Sequence, residues 1–158
     1  MESAAYSGPP TVIAMGGACA LFDDDGRVLL VRHTYGRLNW ELPGGGAEPG
    51  ESPDETAIRE VREEIGLEVA IDRMTGVYYE VGPRPGHDHG PILHVVFLVH
   101  PTSDSSPVAM PPEIDAVGWW PLDALPTPIS DFTERRIRDA AGGGQAGVTR
   151  IEGRSWRG

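Results

Sequence analysis

The chain has 158 residues, of which 39% are hydrophobic and 23% charged, and its formal net charge is −11. That length and composition fit one soluble globular domain with a core of its own. The negative charge excludes a general nucleic-acid backbone binder, which needs positive surface, but not a small phosphate ligand held by metal ions and a few arginines.

Residues 1–10 read as a loose tail. Residues 11–22 read as a strand, and the apolar run within it is too short to span a bilayer. Cys19, the single cysteine, lies in that run and reads as a buried structural thiol in a reducing cytosol. No basic residue precedes Arg27, so the positive region of a signal peptide is missing and a cytoplasmic protein is expected, with no membrane partner. Asp23-Asp24-Asp25-Gly26 reads as a hairpin turn, since the distal Glu of an EF-hand is lacking. Residues 27–32 return as a strand whose continuous apolar run implies burial on both faces. In the polar loop that follows, Arg32, His33 and Arg37 are either phosphate contacts or solvated loop residues. A short strand at 40–42 delivers the chain to Gly44-Gly45-Gly46, read as a turn whose glycines open unusual backbone angles and close approach.

Next comes a helix over residues 53–65. Ser52 caps it, Pro53 takes the first helical position, Glu55 completes a capping box and Gly66 supplies the stop. Strands are expected at 67–71, 76–81 and 92–99, with a turn-rich loop at 82–90 carrying His87-Asp88-His89. That loop is a solvent loop, a weak transition-metal pair or a wall of a substrate pocket. Tyr78 and Tyr79 are core residues or stacking surfaces for a base. A Pro- and Ser-rich linker at 101–112 precedes a late strand at 113–122, and residues 131–141 form a closing helix capped by Ser130 and stopped by Gly142. Residues 142–158 read as a polar, glycine-rich tail with no legible chemistry. There is no internal repeat or second domain.

The central helix is unusual in its charge pattern. Ala57, Ile58, Val61 and Ile65 share an apolar side, whereas Glu60, Glu63 and Glu64 project together on a neighbouring arc. Like charges at that spacing destabilise a helix, and in its C-terminal half they also oppose the dipole. Arg59 and Arg62 fall outside the arc. Either this is an acidic solvated face, or the three carboxylates hold a hard divalent cation such as Mg²⁺ or Mn²⁺.

The stretch Gly45, five residues, Glu51, seven residues, then Arg59-Glu60-Val61-Arg62-Glu63-Glu64-Ile65-Gly66-Leu67 resembles the Nudix hydrolase signature at every specified position, and Trp40-Glu41-Leu42-Pro43-Gly44 resembles its lead-in. The resemblance covers roughly residues 11–141. It implies an α/β Nudix fold, a mixed β-sheet sandwiched between helices, and metal ions held by Glu60, Glu63, Glu64 and the Gly44 carbonyl. It also implies a catalytic set of Glu60, Glu64, Arg59 and Glu113. Arg59 orients the glutamates, while Glu113 is an extra ligand, a general base or a solvated loop acid. Gly45, Glu51 and Gly66 are structural members of the motif. Arg32, Arg37 and Tyr79 are candidate substrate contacts.

The implied activity is Mg²⁺- or Mn²⁺-dependent hydrolysis of a nucleoside diphosphate linked to some moiety X. Pro83, sixteen residues past Leu67, is similar to the proline spacing of ADP-ribose pyrophosphatases and tilts the reading toward ADP-ribose or another sugar nucleotide. The alternatives are a pyrophosphohydrolase of nucleoside triphosphates or dinucleoside polyphosphates, and a nucleotide-sensing module without turnover. The expected partner is a small nucleotide, with no nucleic acid; a homodimer is compatible with the sequence but no residue pattern calls for one.

Overall fold

The computed structural model describes residues 8, 13–82 and 90–158. Its core element is β1 (Ala14–Ala20), which lies between β4 (Gly44–Gly46) and β6 (Ile92–Pro101). With β5 (Val69–Glu80) and β9 (Val148–Ile151) these make a five-stranded sheet in the order β4-β1-β6-β5-β9. The sheet is mixed: β1 runs parallel to β6, β4 antiparallel to β1, β5 antiparallel to β6 and β9 parallel to β5. A second, antiparallel sheet holds β2 (Val28–His33) between β3 (Trp40–Glu41) and β7 (Ile114–Trp120).

Strand alternation divides the interior into two cores. Cys19, Leu21, Leu29, Val31, Val95 and Phe97 face one way and pack on α1 (Pro53–Ile65) through Ala57, Val61 and Ile65. Ala18, Ala20, Val28, Leu30, Tyr78 and Val96 face the other way and pack on α2 (Asp131–Ala141) through Phe132, Ile137 and Ala140. The α/β/α sandwich is therefore present. Val28 to Val31 are fully buried in succession, as the apolar run requires. Cys19 is fully buried as well; its Sγ donates to the Ala57 carbonyl at 3.5 Å, and burial pushes the thiol up to about 12.

Both helices start as their sequences dictate. Glu55 Oε2 accepts from the Ser52 N–H at 2.9 Å, and Ser130 Oγ accepts from the Thr133 N–H at 3.1 Å. Gly66 ends α1 at φ 70°, where L side chains are disfavoured, and its N–H donates to the Arg62 carbonyl.

Four expectations change. The turn at 23–26 forms, with the Gly26 N–H donating to the Asp23 carbonyl at 3.0 Å, but β1 and β2 part after the Phe22–Val28 bridge and enter different sheets. The two strands expected at 67–71 and 76–81 are one strand, because bulges at Ile71/Arg73 and Met74/Gly76 carry the pairing with β6 across the gap. Gly44-Gly45-Gly46 is a strand, not a turn. Residues 142–158 are no tail: β9 adds to the edge of the main sheet, and β10 (Trp156–Arg157) pairs with β8 (Ile129–Ser130) just before α2. Residues 11 and 12, Pro83, His87 and His89 lie outside the described residues. Among the described residues no helix is long and apolar enough to cross a membrane.

The sandwich is tightest where β1 meets the start of α1. A Cβ on Gly17 would lie 2.2 Å from the Pro53 carbonyl oxygen and 3.0 Å from the Ala57 nitrogen. Both are backbone atoms and cannot rotate aside. Gly17→Ala is therefore expected to cost about 1–3 kcal/mol, the range for overpacking a tight interior, read as a lower midpoint in urea unfolding; an unchanged midpoint would show that α1 shifts freely.

Candidate active site

The second half of α1 carries the motif glutamates, and the glycine strand β4 lies directly against them. A Cβ on Gly45 would sit 2.4 Å from Glu60 Oε1, and the Gly44 N–H donates to Glu64 Oε2 at 3.0 Å. This approach buries Glu60 (8% exposed) and Glu64 (3%), while Glu63 stays exposed. Arg59 lies among the acids. Its Nε donates to Glu51 Oε1 at 2.6 Å, Nη1 to Glu60 and Glu63 at 3.1 and 3.0 Å, and Nη2 to the Gly46 carbonyl at 2.9 Å. Glu55 is taken by the helix cap, as its place in the capping box implies. The Arg59 guanidinium, with the Glu48 N–H, holds Glu51 down at about 2.

Arg59 makes no bond to Glu64. Burial pushes the Glu64 carboxyl up to about 8; the Gly44 N–H opposes that rise, and the charges of Glu60, Glu113 and Glu41 add to it. Burial also raises Glu60, against the pull of Arg59.

Glu113 reaches this cluster because the linker before it docks on the open end of α1. The Met110 and Val108 N–H groups donate to the Glu64 and Ile65 carbonyls, each at 3.0 Å, satisfying acceptors that a helix end leaves free. The exposed Glu113 side chain then lies close enough for its charge to raise both Glu60 and Glu64.

A cavity of about 420 Å³ opens on the other side of Gly44, Gly45 and Gly46. Arg37 lines it, with its guanidinium 5.0 Å from the centre of the Trp156 ring. His33 also lines it, 8% exposed, with Nδ1 buried and unbonded. Two expected substrate contacts are elsewhere. Arg32 is paired bidentately with Asp115 at 2.8 and 3.1 Å and does not line the cavity. Tyr79 lies under Arg150, at the β9 edge, while its neighbour Tyr78 points into the core and donates to Asp139 at 2.6 Å. The alternation of a strand separates the pair.

The far wall of the cavity carries residues the sequence did not single out. Glu41 accepts from Thr133 at 2.6 Å and pairs with buried Arg136. Arg154 pairs with Glu80 through Nε at 3.0 Å and Nη2 at 2.6 Å, and His94 bonds the same carboxylate at 3.0 Å. Both guanidiniums pack on Phe132, 4.1 and 4.3 Å from its centre. Burial raises the Glu80 carboxyl, but the hydrogen bonds from His94 and Arg154 outweigh it and hold the group well below the usual range. The Trp-Glu-Leu-Pro-Gly lead-in was the one available signal for Glu41; nothing local marks Arg136 or Arg154.

The NUDIX domain profile matches residues 14–140. The chain belongs to the Nudix hydrolases. It is 30% identical over 145 residues to a MutT-like protein of Streptomyces ambofaciens, a match covering 92% of this chain and 88% of that protein. It is 36% identical over 119 residues to an ADP-ribose pyrophosphatase of Mycobacterium tuberculosis, covering 70% of this chain. That match spans about half, 55%, of the mycobacterial protein. The crystal structure of a MutT Nudix hydrolase from Burkholderia pseudomallei superposes with a TM-score of 0.67 at 26% identity, covering 82% of this chain and 98% of that one. These similarities establish the fold and the enzymatic class of pyrophosphohydrolase.

For this Nudix hydrolase the donor set fits a hard divalent cation. Glu60 and Glu64 offer buried carboxylate oxygens, and Glu64 has one N–H against several like charges. Among the described residues, however, no three acidic, His or Cys side chains already converge as a ligand group. Carboxylates this close repel one another, and Glu60 and Glu63 turn to Arg59 as their counter-charge. Gly44 contributes its N–H to the cluster.

The Glu64 shift has a definite sign in the chelated protein. A carboxyl whose folded pKa lies above its ordinary value favours the folded state at low pH, and that stability is lost as pH climbs from about 5 toward about 8. In chelator, Glu64→Gln should therefore gain melting temperature over the unaltered chain as pH rises through this window. Parallel melting profiles for the two proteins would show that Glu64 ionises without penalty.

Proposed function

We propose that the chain hydrolyses the diphosphate linkage of a nucleoside diphosphate joined to X, with ADP-ribose or a related sugar nucleotide favoured, and that the reaction depends on Mg²⁺ or Mn²⁺. The observation that carries this reading is the placement of buried Glu60 and Glu64 directly behind Gly44 and Gly45, at one end of an aromatic-lined cavity of about 420 Å³. A diphosphate is anionic and repels a nucleophile, so its charge must be neutralised where water attacks. Glu60 and Glu64, with Glu63 and the Gly44 carbonyl, would hold the cations; when bound these neutralise the phosphates and polarise water. Arg59 fixes the glutamate rotamers through its bonds to Glu51, Glu60 and Glu63. Glu113, whose charge acts on both Glu60 and Glu64, would take the proton of the attacking water. The similarity to the mycobacterial ADP-ribose pyrophosphatase supports the substrate tilt.

The experiment is product release across a panel of ADP-ribose, sugar nucleotides, dinucleoside polyphosphates and triphosphates, with Mg²⁺, Mn²⁺ or chelator. Metal-dependent release of AMP from ADP-ribose is expected. Glu64→Gln should lower kcat about a hundredfold or more, the scale on which removing one electrostatic stabiliser acts. Glu113→Gln should lower it by a similar factor near neutral pH; a full rate would return Glu113 to the solvated loop. Turnover of triphosphates alone would replace the ADP-ribose reading, and binding without turnover would make the chain a sensor.

A further inference from the structure

The domain profile ends at residue 140, yet the cavity is completed by residues beyond it. Segment 154–157 is fixed at every step. Arg154 is paired with Glu80. Ser155 exchanges two hydrogen bonds with Asp131, each at 2.9 Å: its carbonyl accepts from the Asp131 N–H, and its own N–H donates to Asp131 Oδ1. Trp156 is in register with Ser130, and Arg157 holds Glu134 at 3.0 and 2.8 Å. The side chain held between these anchors is the half-buried indole of Trp156, and it joins neither hydrophobic core. It lines the cavity instead, under the Arg37 guanidinium.

The loop that presents Arg37 is equally constrained. The Leu38 N–H donates to the Tyr35 carbonyl at 3.1 Å, and Leu38 takes φ 54°, a left-handed conformation that a branched side chain adopts only under restraint. Among the described residues Arg37 forms no ion pair, unlike Arg136 and Arg154, whose charges are met by Glu41 and Glu80. Among the described residues the cavity thus offers aromatic faces and one arginine, Arg37, without an ion pair. That chemistry suits a planar ring carrying a phosphate. A non-aromatic polyanion has no ring to lay on those faces.

We propose that Trp156 is the stacking platform for the nucleobase of the substrate, closed from the other side by Arg37, so that the C-terminal strand decides which diphosphates are accepted. This deepens the reading of the cavity as a site for nucleoside diphosphates linked to X and rests on it. A base enters by sliding between the indole and the guanidinium, exchanging the Arg37–Trp156 contact for two contacts with its own faces. Stacking of this kind tolerates different bases, because each has a π-face. The scissile phosphates then lie toward Gly44 and Gly45.

The test is calorimetric binding of AMP, which carries a base but no diphosphate, to the full chain, alongside hydrolysis of ADP-ribose. Trp156→Ala should weaken AMP about tenfold or more, the scale of one lost base–aromatic stack. It should raise KM for ADP-ribose by a similar factor with kcat within about threefold, and Trp156→Phe should recover most of the loss. Inositol hexakisphosphate, a polyanion without a ring face, should bind more weakly than AMP. If Trp156→Ala does not fold, Trp156→Leu keeps bulk without the π-face and should show the same loss. AMP affinity unchanged in a folded Ala or Leu variant, no AMP binding by the unaltered chain, or tighter binding of the inositol phosphate would each overturn the proposal. A chain that hydrolyses no nucleotide but loses AMP affinity with Trp156 would keep the platform and overturn the hydrolase substrate reading instead.

Discussion

The site depends on how closely one strand of backbone can approach one helix. At Gly17 and Gly45 there is no room for a Cβ: the first would strike the Pro53 carbonyl, the second the carboxylate of Glu60. Because neither residue carries one, β4 seals the helix face and removes Glu60 and Glu64 from water. Burial of two neighbouring carboxylates is unfavourable without compensating charge. Arg59 compensates Glu60, Glu63 and Glu51 but does not reach Glu64, which has the Gly44 N–H alone among the bonds of this cluster. The acid that a cation would benefit most is therefore the one the protein's own cation leaves out. A solvated acidic face would show the opposite pattern, with all three carboxylates exposed and indifferent to one another.

The opposite wall of the cavity follows a different logic. Glu41 with Arg136, and Glu80 with Arg154 and His94, are buried ion pairs, and such pairs contribute little net stability because desolvation offsets their attraction. Their effect is geometric. They hold two guanidiniums against Phe132 and cancel their charge, so the wall is aromatic and nearly neutral. The cavity consequently has the glycine strand β4, with the carboxylates behind it, at one end and aromatic rings, Phe132 and Trp156, at the other.

What the sequence made legible is what lies close together along it. The caps of α1, its apolar side and the Glu60, Glu63 and Glu64 arc are separated by three or four residues, and helical geometry converts that spacing directly into neighbourhood. The glycine triplet was visible too, and of its two expected reasons close approach holds at Gly44 and Gly45, whereas open space surrounds Gly46. Arg32 and Tyr79 show the limit of sequence adjacency. Arg32 is next to His33 and Tyr79 next to Tyr78, yet strand alternation sends the members of each pair to different faces, and Asp115, eighty-three residues on, claims Arg32. Arg136 and Glu41 are ninety-five residues apart and Arg154 and Glu80 seventy-four. No local period encodes such contacts; they exist only once α2, β9 and β10 have docked.

That distinction assigns different work to different parts of the chain. The motif residues lie on one helix and on the stretch of chain that leads into it, from the glycine strand onward. The aromatic wall of the cavity is assembled from the 34–39 loop, α2 and β10, which meet only in the folded protein. Glu60 and Glu64 face β4 from the side of α1, whereas Trp156 and Phe132 line the cavity from the side of α2. A change in β10 can therefore alter the aromatic wall while leaving the carboxylates and Arg59 untouched, and a change in α1 can alter the carboxylates without reaching that wall. The sheet between the two helices is what keeps these two sides apart.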